Sequence, residues 1–122
     1  MWKGIVNWHK PAHQHAARVS AACEYLVYGC NGADDKGPKV PGFYSESAPH
    51  STKRQHQTEK PAGLVAHVLQ VLEGRGRVVD PFAGAGVVGV VCARLGHDYQ
   101  GCEIDPHYAR VAKRRIRAAG GL

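Results

Sequence analysis

The sequence predicts an α/β fold with an incomplete sheet and helices packed on it, and three observations lead to this prediction. A short β-branched run, Val78 and Val79, ends in an acid, Asp80, and a turn rich in Gly and Ala follows it. An apolar segment that can form a helix comes next, and residues 99–105 then form a second strand-like run that ends in acids. Strand, glycine turn and helix is the geometry by which open α/β sheets hold a nucleotide-like cofactor at the carboxyl ends of their strands.

The N-terminal half contains two predicted strands, over residues 4–11 and 23–30, joined by a polar connection rich in His and Ala. Residues 31–57 predict a loop because Gly and Pro recur there among Asp, Ser and Lys. A connection of this length usually carries a function, and its basic side chains suit phosphate contact. Residues 61–73 predict a helix with apolar residues on one side, and Gly74 ends it.

The C-terminal helix has a clear start signal, Asp105 followed by Pro106, which are a capping side chain and a proline in the first turn. Apolar side chains form one stripe at helical spacing: Tyr108, Val111, Ala112 and Ile116. Basic side chains lie largely off that stripe: Arg110, Lys113, Arg114 and Arg117. Residues 77–118 therefore predict strand, helix, strand and helix in that order, with Glu103 near the end of the second strand.

The glycines of the turn leave the cofactor open. Gly84, Gly86 and Gly89 satisfy G-x-G-x-x-G, and Glu103 follows at about the 20-residue distance expected of a ribose-binding acid in dinucleotide sites. Asp80 disfavours a dinucleotide, because a carboxylate at the mouth of the turn would repel a pyrophosphate. It would attract the ammonium and sulfonium groups of S-adenosylmethionine. A tight turn that binds nothing is the third interpretation.

Several motifs together resemble a known family. Residues 56–61 read HQTEKP, residues 80–86 read DPFAGAG and residues 101–105 read GCEID, with Tyr108 and a basic helix end after them. In this order the motifs resemble the C-terminal half of bacterial and phage DNA amino-methyltransferases, the adenine-N6 and cytosine-N4 enzymes with permuted motif order. Residues 5–30 resemble the family's late hairpin strands more weakly.

The resemblance implies a partial Rossmann-like fold of the S-adenosylmethionine-dependent methyltransferase kind. Residues 1–122 would form one partial domain. Hairpin-like strands would occupy residues 1–30, a loop residues 31–57, and a cofactor-binding unit residues 58–120.

The resemblance also implies a set of residues that bind S-adenosylmethionine. They are Thr58, Lys60, Asp80, Phe82, Ala83, Gly84, Gly86 and Glu103. Asp80 and the turn after it would line the methionine end, and Glu103 would hold the ribose. Thr58 and Lys60 would approach the methionine portion, whose carboxylate needs a cation or N–H donors. The chain departs from the family after the turn, where it has Ala85, Val87 and Val88 in place of a small polar residue and threonines.

The family's catalytic motif, an Asp, Asn or Ser followed by Pro-Pro and an aromatic residue, does not occur in the 122 residues. No catalytic residue is therefore predicted, and Met1 would lie just downstream of that motif. The strands missing from the family's sheet would leave residues 5–30 and 77–105 with unpaired edges. Three arrangements are open. A partner chain or an oligomer would supply the missing strands, residues 5–30 and 77–105 would pair directly with each other, or the hairpin would be loosely ordered. An inactive remnant that binds cofactor or DNA is the alternative function.

Composition is consistent with one basic domain. The chain has a formal net charge of +6 and 43% hydrophobic residues, so it can hold one core and suits an anionic partner such as DNA. No leader or membrane-length apolar run occurs, so we expect a cytoplasmic protein. The four cysteines form no Cys-x-x-Cys, and His9, His13 and His15 lack a supporting acid, so no metal is predicted. Trp8 suits either base stacking or the core.

Overall fold

A computed structural model describes residues 2–11, 22–31, 37–50 and 59–120. It contains five strands and three helices in those ranges: β1 (Trp2–His9), β2 (Cys23–Gly29), β3 (Phe43–Ser45), α1 (Ala62–Leu69), β4 (Arg77–Asp80), α2 (Val87–Leu95), β5 (Asp98–Gly101) and α3 (Pro106–Gly120). None of these helices is long and apolar enough to cross a membrane.

The first sheet has the strand order β2-β1-β3. β1 and β2 pair antiparallel, from Trp2 opposite Gly29 to His9 opposite Cys23, as the two predicted strands require. β3 pairs parallel with β1 and lies inside residues 31–57, so the prediction of an unbroken loop there was wrong. Three residues carry too little pattern to predict a strand, and β3 is held by pairing with a strand more than 30 residues away.

Trp8 belongs to the core of this half. Its side chain is 2% exposed, and its indole N–H donates a 2.7 Å hydrogen bond to the carbonyl oxygen of Glu46, just after β3. An indole buried in this way has no face free for a base, so the nucleic-acid interpretation of Trp8 was wrong.

The second sheet is the parallel pair β4-β5, with α2 as the crossover between the two strands. α2 packs against α3 and buries apolar side chains of both helices: Val90, Val91, Cys92, Val111 and Ala112. This confirms the strand, helix, strand, helix order predicted for residues 77–118. α1 is shorter than the predicted helix over residues 61–73, because the chain tightens to i→i−3 hydrogen bonds after Leu69.

The two sheets are not hydrogen-bonded to each other within the described residues, so direct pairing of the two pieces was wrong. β2 is an edge strand of the first sheet, and β4 pairs on one side only within the ranges given above. Exposed apolar side chains stand on both strands: Tyr25, Val27 and Val79. A strand edge with exposed apolar side chains beside it is able to accept a further strand.

Candidate cofactor site

Asp80 stands at the carboxyl end of β4, and both of its carboxylate oxygens have partners. Oδ1 accepts a 3.1 Å hydrogen bond from the backbone N–H of Phe82, which closes the turn, and Oδ2 accepts one of 3.3 Å from the hydroxyl of Tyr99. Burial raises the pKa of Tyr99, and the negative charge of Asp80 raises it further. The phenol therefore stays protonated and holds the Asp80 carboxylate in place.

The glycine turn is attached to the end of β5 by two backbone hydrogen bonds. The N–H of Cys102 donates to the carbonyl of Asp80 at 2.9 Å, and the N–H of Ala83 donates to the carbonyl of Cys102 at 2.8 Å. Gly86 then begins α2 with a φ of 80°, in the left-handed region. A Cβ at this position would lie 2.7 Å from Cβ of Ala112 on α3. Backbone conformation and space thus both require glycine here.

Glu103 joins the two loops that follow the strands. Its Oε2 accepts a 2.7 Å hydrogen bond from the N–H of Gly84, and its Oε1 accepts one of 2.9 Å from the N–H of Asp105. These backbone donors, that of Asp105 first, lower the pKa of Glu103. Each carboxylate oxygen can accept more than one hydrogen bond, so Glu103 retains acceptor capacity for hydroxyl groups of a ligand.

A cavity of about 340 Å³ adjoins Glu103. Ala83 and Glu103 line it on the side of the turn, and small side chains of α3, Ala109 and Ala112, line it on the other. This volume is in the range of small-molecule sites, which run from about 300 to 1,000 Å³. Of the predicted site residues, Ala83 and Glu103 thus line one concave surface, and two cations of α3, Lys113 and Arg117, line it as well.

Two large apolar side chains stand almost fully in solvent beside this surface. Phe82 in the turn is 88% exposed and Ile104, directly after Glu103, is 98% exposed. Phe82 was predicted to be a site residue and Ile104 was not. The sequence did contain a signal for Ile104. It is an apolar residue between two acids at the point where a strand meets a loop, and no residue in that local pattern would bury its side chain.

Arg115 on α3 is a second residue that the sequence did not single out. Its guanidinium donates to the carbonyl of Ala85 at 2.7 Å and to Oε1 of Glu59 at 2.6 Å. Glu59 is largely buried and directly precedes Lys60. Arg115 thus connects the glycine turn with the segment that leads into α1. Among the several basic residues of α3, no local pattern distinguishes it.

Lys60 lies in a cluster of charges at the first sheet. Its ammonium is 2.5 Å from Oε2 of Glu24 and 5.3 Å from the centroid of the Trp8 ring. Lys10 contacts the other oxygen of Glu24 at 2.9 Å. The hydrogen bond from Lys60 is the largest of the effects that lower the pKa of Glu24. Lys60 is thus placed by β2 and Trp8.

Some sequence predictions concern residues outside the described ranges. These are the role of Thr58 and the grouping of His13 and His15 with His9. Within the described ranges, no group of three His, Cys, Asp or Glu side chains is placed to hold a metal ion.

Comparison with known proteins decides the family. Residues 3–114 match the family model described as DNA methylase, which covers N6 and N4 enzymes. The chain belongs to this N6/N4 DNA methylase family. The match confirms the resemblance carried by the Asp80 turn and the Glu103 strand end.

Curated methyltransferases match the N6/N4 methylase chain over about half of its length. The type II methyltransferase M2.DpnII of Streptococcus pneumoniae is 34% identical over 65 residues, which are 52% of this chain and 24% of that protein. The type II methyltransferase M.HinfI of Haemophilus influenzae is 39% identical over 66 residues, 53% of this chain and 18% of that protein. The matched segment is thus a quarter or less of these relatives.

Solved structures share the fold of the N6/N4 methylase chain at low identity. The complex of M1.HpyAVI with S-adenosylmethionine has a TM-score of 0.72 and 21% identity, covering 93% of this chain and 61% of that one. The PvuII DNA methyltransferase, described as cytosine-N4-specific, has a TM-score of 0.71 and 18% identity, covering 92% and 50%. The predicted α/β methyltransferase fold is confirmed, and the chain spans about half to three fifths of these structures.

Proposed function

We propose that this chain is the S-adenosylmethionine-binding portion of a DNA methyltransferase that methylates an exocyclic base nitrogen, adenine N6 or cytosine N4. Membership of the N6/N4 methylase family supports the reaction class. One observation carries the cofactor assignment. Asp80 and Glu103 stand at the carboxyl ends of adjacent parallel strands, and the glycine turn between them is hydrogen-bonded to both.

The chemistry of this arrangement fits S-adenosylmethionine. The cofactor supplies a methyl group on a sulfonium, and the positive charges at its methionine end are attracted by the carboxylate of Asp80. Glu103 is held ionised and would accept hydrogen bonds from the ribose hydroxyls. Phe82 and Ile104 offer apolar surface for the flat base. In this proposal the ligand contacts the backbone of Ala83, Gly84 and Gly86.

Lys60 and Thr58 complete the proposed set on the side of the methionine carboxylate. Lys60 is the better supported of the two, because its ammonium is already held in an orientation by Glu24 and Trp8. A carboxylate ligand would then compete with Glu24 for the same cation.

The dinucleotide alternative is less well supported by the geometry. The N–H of Gly84 is one of the backbone donors that a pyrophosphate would require, and it donates to Glu103 instead. A pyrophosphate at the turn would also meet the carboxylates of Asp80 and Glu103. Both features disfavour a phosphate ligand and are compatible with a cationic one.

Methyl transfer needs groups that grip the flipped base, and the Pro-Pro motif that does this in the family is absent from the 122 residues. We propose that a second polypeptide segment supplies that motif, on strands that pair with β2 and β4 along the edges that no described strand occupies. The exposed side chains of Tyr25, Val27 and Val79 would be covered by those strands. A remnant that binds cofactor without catalysis is the competing proposal.

Calorimetric titration with S-adenosylmethionine tests the cofactor assignment. Asp80→Asn keeps the size of the side chain and an acceptor for Phe82 but removes the charge, so we expect affinity to fall at least tenfold. Asp98→Asn is the matched control, because Asp98 is an exposed acid at the opposite end of the same sheet. Equal affinity in wild type and Asp80→Asn, or binding of NAD in preference to S-adenosylmethionine, would contradict the assignment.

Transfer of a labelled methyl group to duplex DNA tests the rest of the proposal. We expect no transfer by the purified 122-residue chain alone. Methylation by that chain would show that it needs no second segment and would also exclude the remnant proposal.

A further inference from the structure

One face of α3 consists of cations. Arg110, Lys113, Arg114 and Arg117 follow one another at helical spacings of three and four residues, and all four are exposed. The opposite face of the helix carries Val111 and Ala112, which are buried against α2. The fold therefore uses the face of α3 that carries Val111, Ala112 and the anchoring Arg115, and leaves the four cations exposed.

The four cations have no acidic partner in the described part of the chain. The ion pairs formed by basic residues there involve Lys10, Lys60 and Arg115. Arg110 with Arg114, and Lys113 with Arg117, are instead like charges one helical turn apart, an arrangement that destabilises a helix. With Ala118 the four side chains surround a shallow depression of about 390 Å³. An anionic ligand would remove this repulsion.

We propose that this basic face of α3 binds the phosphate backbone of duplex DNA. Lys113 and Arg117 of this face also line the cavity at Glu103, whereas Arg110 and Arg114 lie outside it. The four cations extend from Arg110 to Arg117, which is seven rises of about 1.5 Å, or about 10 Å of helix. This length equals about three intervals of about 3.4 Å along one DNA strand, so the face can reach about four consecutive phosphates. The choice of DNA rests on the proposed methyltransferase function.

The composition of α3 disfavours a membrane surface as the partner. Helices that lie on membranes carry large apolar side chains beside their basic face. On α3 the large apolar residues Tyr108, Val111 and Ile116 are all buried or half-buried. Between Arg110 and Arg117 the exposed side chains are all cations, which suits contact with phosphates and gives no reading of base sequence.

The salt dependence of DNA binding by the full chain tests this surface, with fluorescence anisotropy of a labelled 20-base-pair duplex as the readout. Four phosphate contacts predict a slope of about −3.6 for the logarithm of the binding constant against that of the KCl concentration. Arg110→Gln with Arg114→Gln should reduce the slope to about −1.8 and weaken binding about 60-fold at 0.1 M KCl. The control variant, Arg75→Gln with Arg77→Gln, also removes two positive charges, but outside α3. It should change the salt slope and the binding constant only by a small fraction.

The outcomes separate this inference from the proposed function. Arg110 and Arg114 lie outside the lining of the cavity at Glu103, so the S-adenosylmethionine titration should be unchanged in the α3 variant. A loss of DNA binding confined to that variant supports the surface even if S-adenosylmethionine fails to bind. Three results would overturn the proposed DNA surface. They are equal losses of DNA binding in both double variants, no DNA binding by wild type at 20 mM KCl, and tighter binding to phosphatidylserine vesicles than to DNA.

Discussion

Gly89→Ala should destabilise the protein although alanine is the better helix former. Gly89 is buried in α2, where the helix passes both α3 and β5. A Cβ there would lie 2.4 Å from Cδ1 of Ile116 and 2.6 Å from Cε1 of Tyr99. The end of the isoleucine can rotate away. The tyrosine ring cannot do so freely, because its hydroxyl is bonded to Asp80.

The expected magnitude is the difference between two effects. Replacing an interior helical glycine by alanine stabilises a helix by about 1 kcal/mol. Overpacking a filled core by a methyl group destabilises by about 1–3 kcal/mol, and the restrained ring favours the upper part of that range. We therefore expect a net loss of about 1–2 kcal/mol. For a chain of this size that is a fall in Tm of about 4–8 °C.

Thermal unfolding followed by circular dichroism measures this loss, and Gly120→Ala is the matched control. Gly120 is the last residue of α3, and a Cβ there has its nearest neighbour at 3.7 Å, an ordinary contact. That variant should be neutral or slightly more stable. Because Tyr99 holds Asp80, Gly89→Ala should also weaken S-adenosylmethionine binding. A Tm for Gly89→Ala at or above that of wild type would refute the packing argument.

Two further predictions concern ion pairs. Glu24→Gln should reduce the dependence of Tm on pH. The pKa of the Glu24 carboxyl is lowered in the folded protein, chiefly by the hydrogen bond from Lys60. The stability that this carboxylate adds is therefore present above about pH 4.5 and is lost as pH falls through the folded-state pKa. Tm measured from pH 6 to pH 3 should fall further in wild type than in Glu24→Gln. The control is Glu73→Gln, which changes an exposed acid and should follow wild type. Parallel curves for all three proteins would contradict the role given to the Glu24 carboxylate. Arg115→Lys should lower the free energy of unfolding, measured in urea, by about 1–3 kcal/mol, because one ammonium cannot replace both contacts of the guanidinium. The control is Arg114→Lys, which changes an exposed residue and should have almost no effect. Equal effects of the two variants would show that the contacts of Arg115 do not stabilise the fold.

The predicted features that the structure confirms have local causes. The strand before Asp80 and the turn after it follow from β-branched residues and glycines that are adjacent in sequence. The start of α3 follows from Asp105, whose Oδ1 accepts a 2.7 Å hydrogen bond from the N–H of His107, as a capping residue does.

The features that the sequence did not predict depend on residues far apart in the chain. β3 exists because it pairs with β1. The sequence left Trp8 open between the core and base stacking, and a carbonyl 38 residues away that accepts its N–H decides for the core. Arg115 is an anchor because folding brings Ala85 and Glu59 to the same guanidinium. No periodicity or spacing within one segment contains that information.

From residue order alone it was possible to identify the α/β fold class, the strand, turn and helix around Asp80 and the family. These properties rest on short-range chemistry: backbone preference, capping and the charge of an acid beside a glycine turn. The folded chain was needed to show that Glu103 fastens the turn to its neighbouring strand and that Lys60 is held by Glu24. It was also needed to show that the cations on one face of α3 have no acidic partner among the described residues. Each of these depends on which distant groups come within hydrogen-bonding or Coulombic range, and packing of the helices and strands sets those distances.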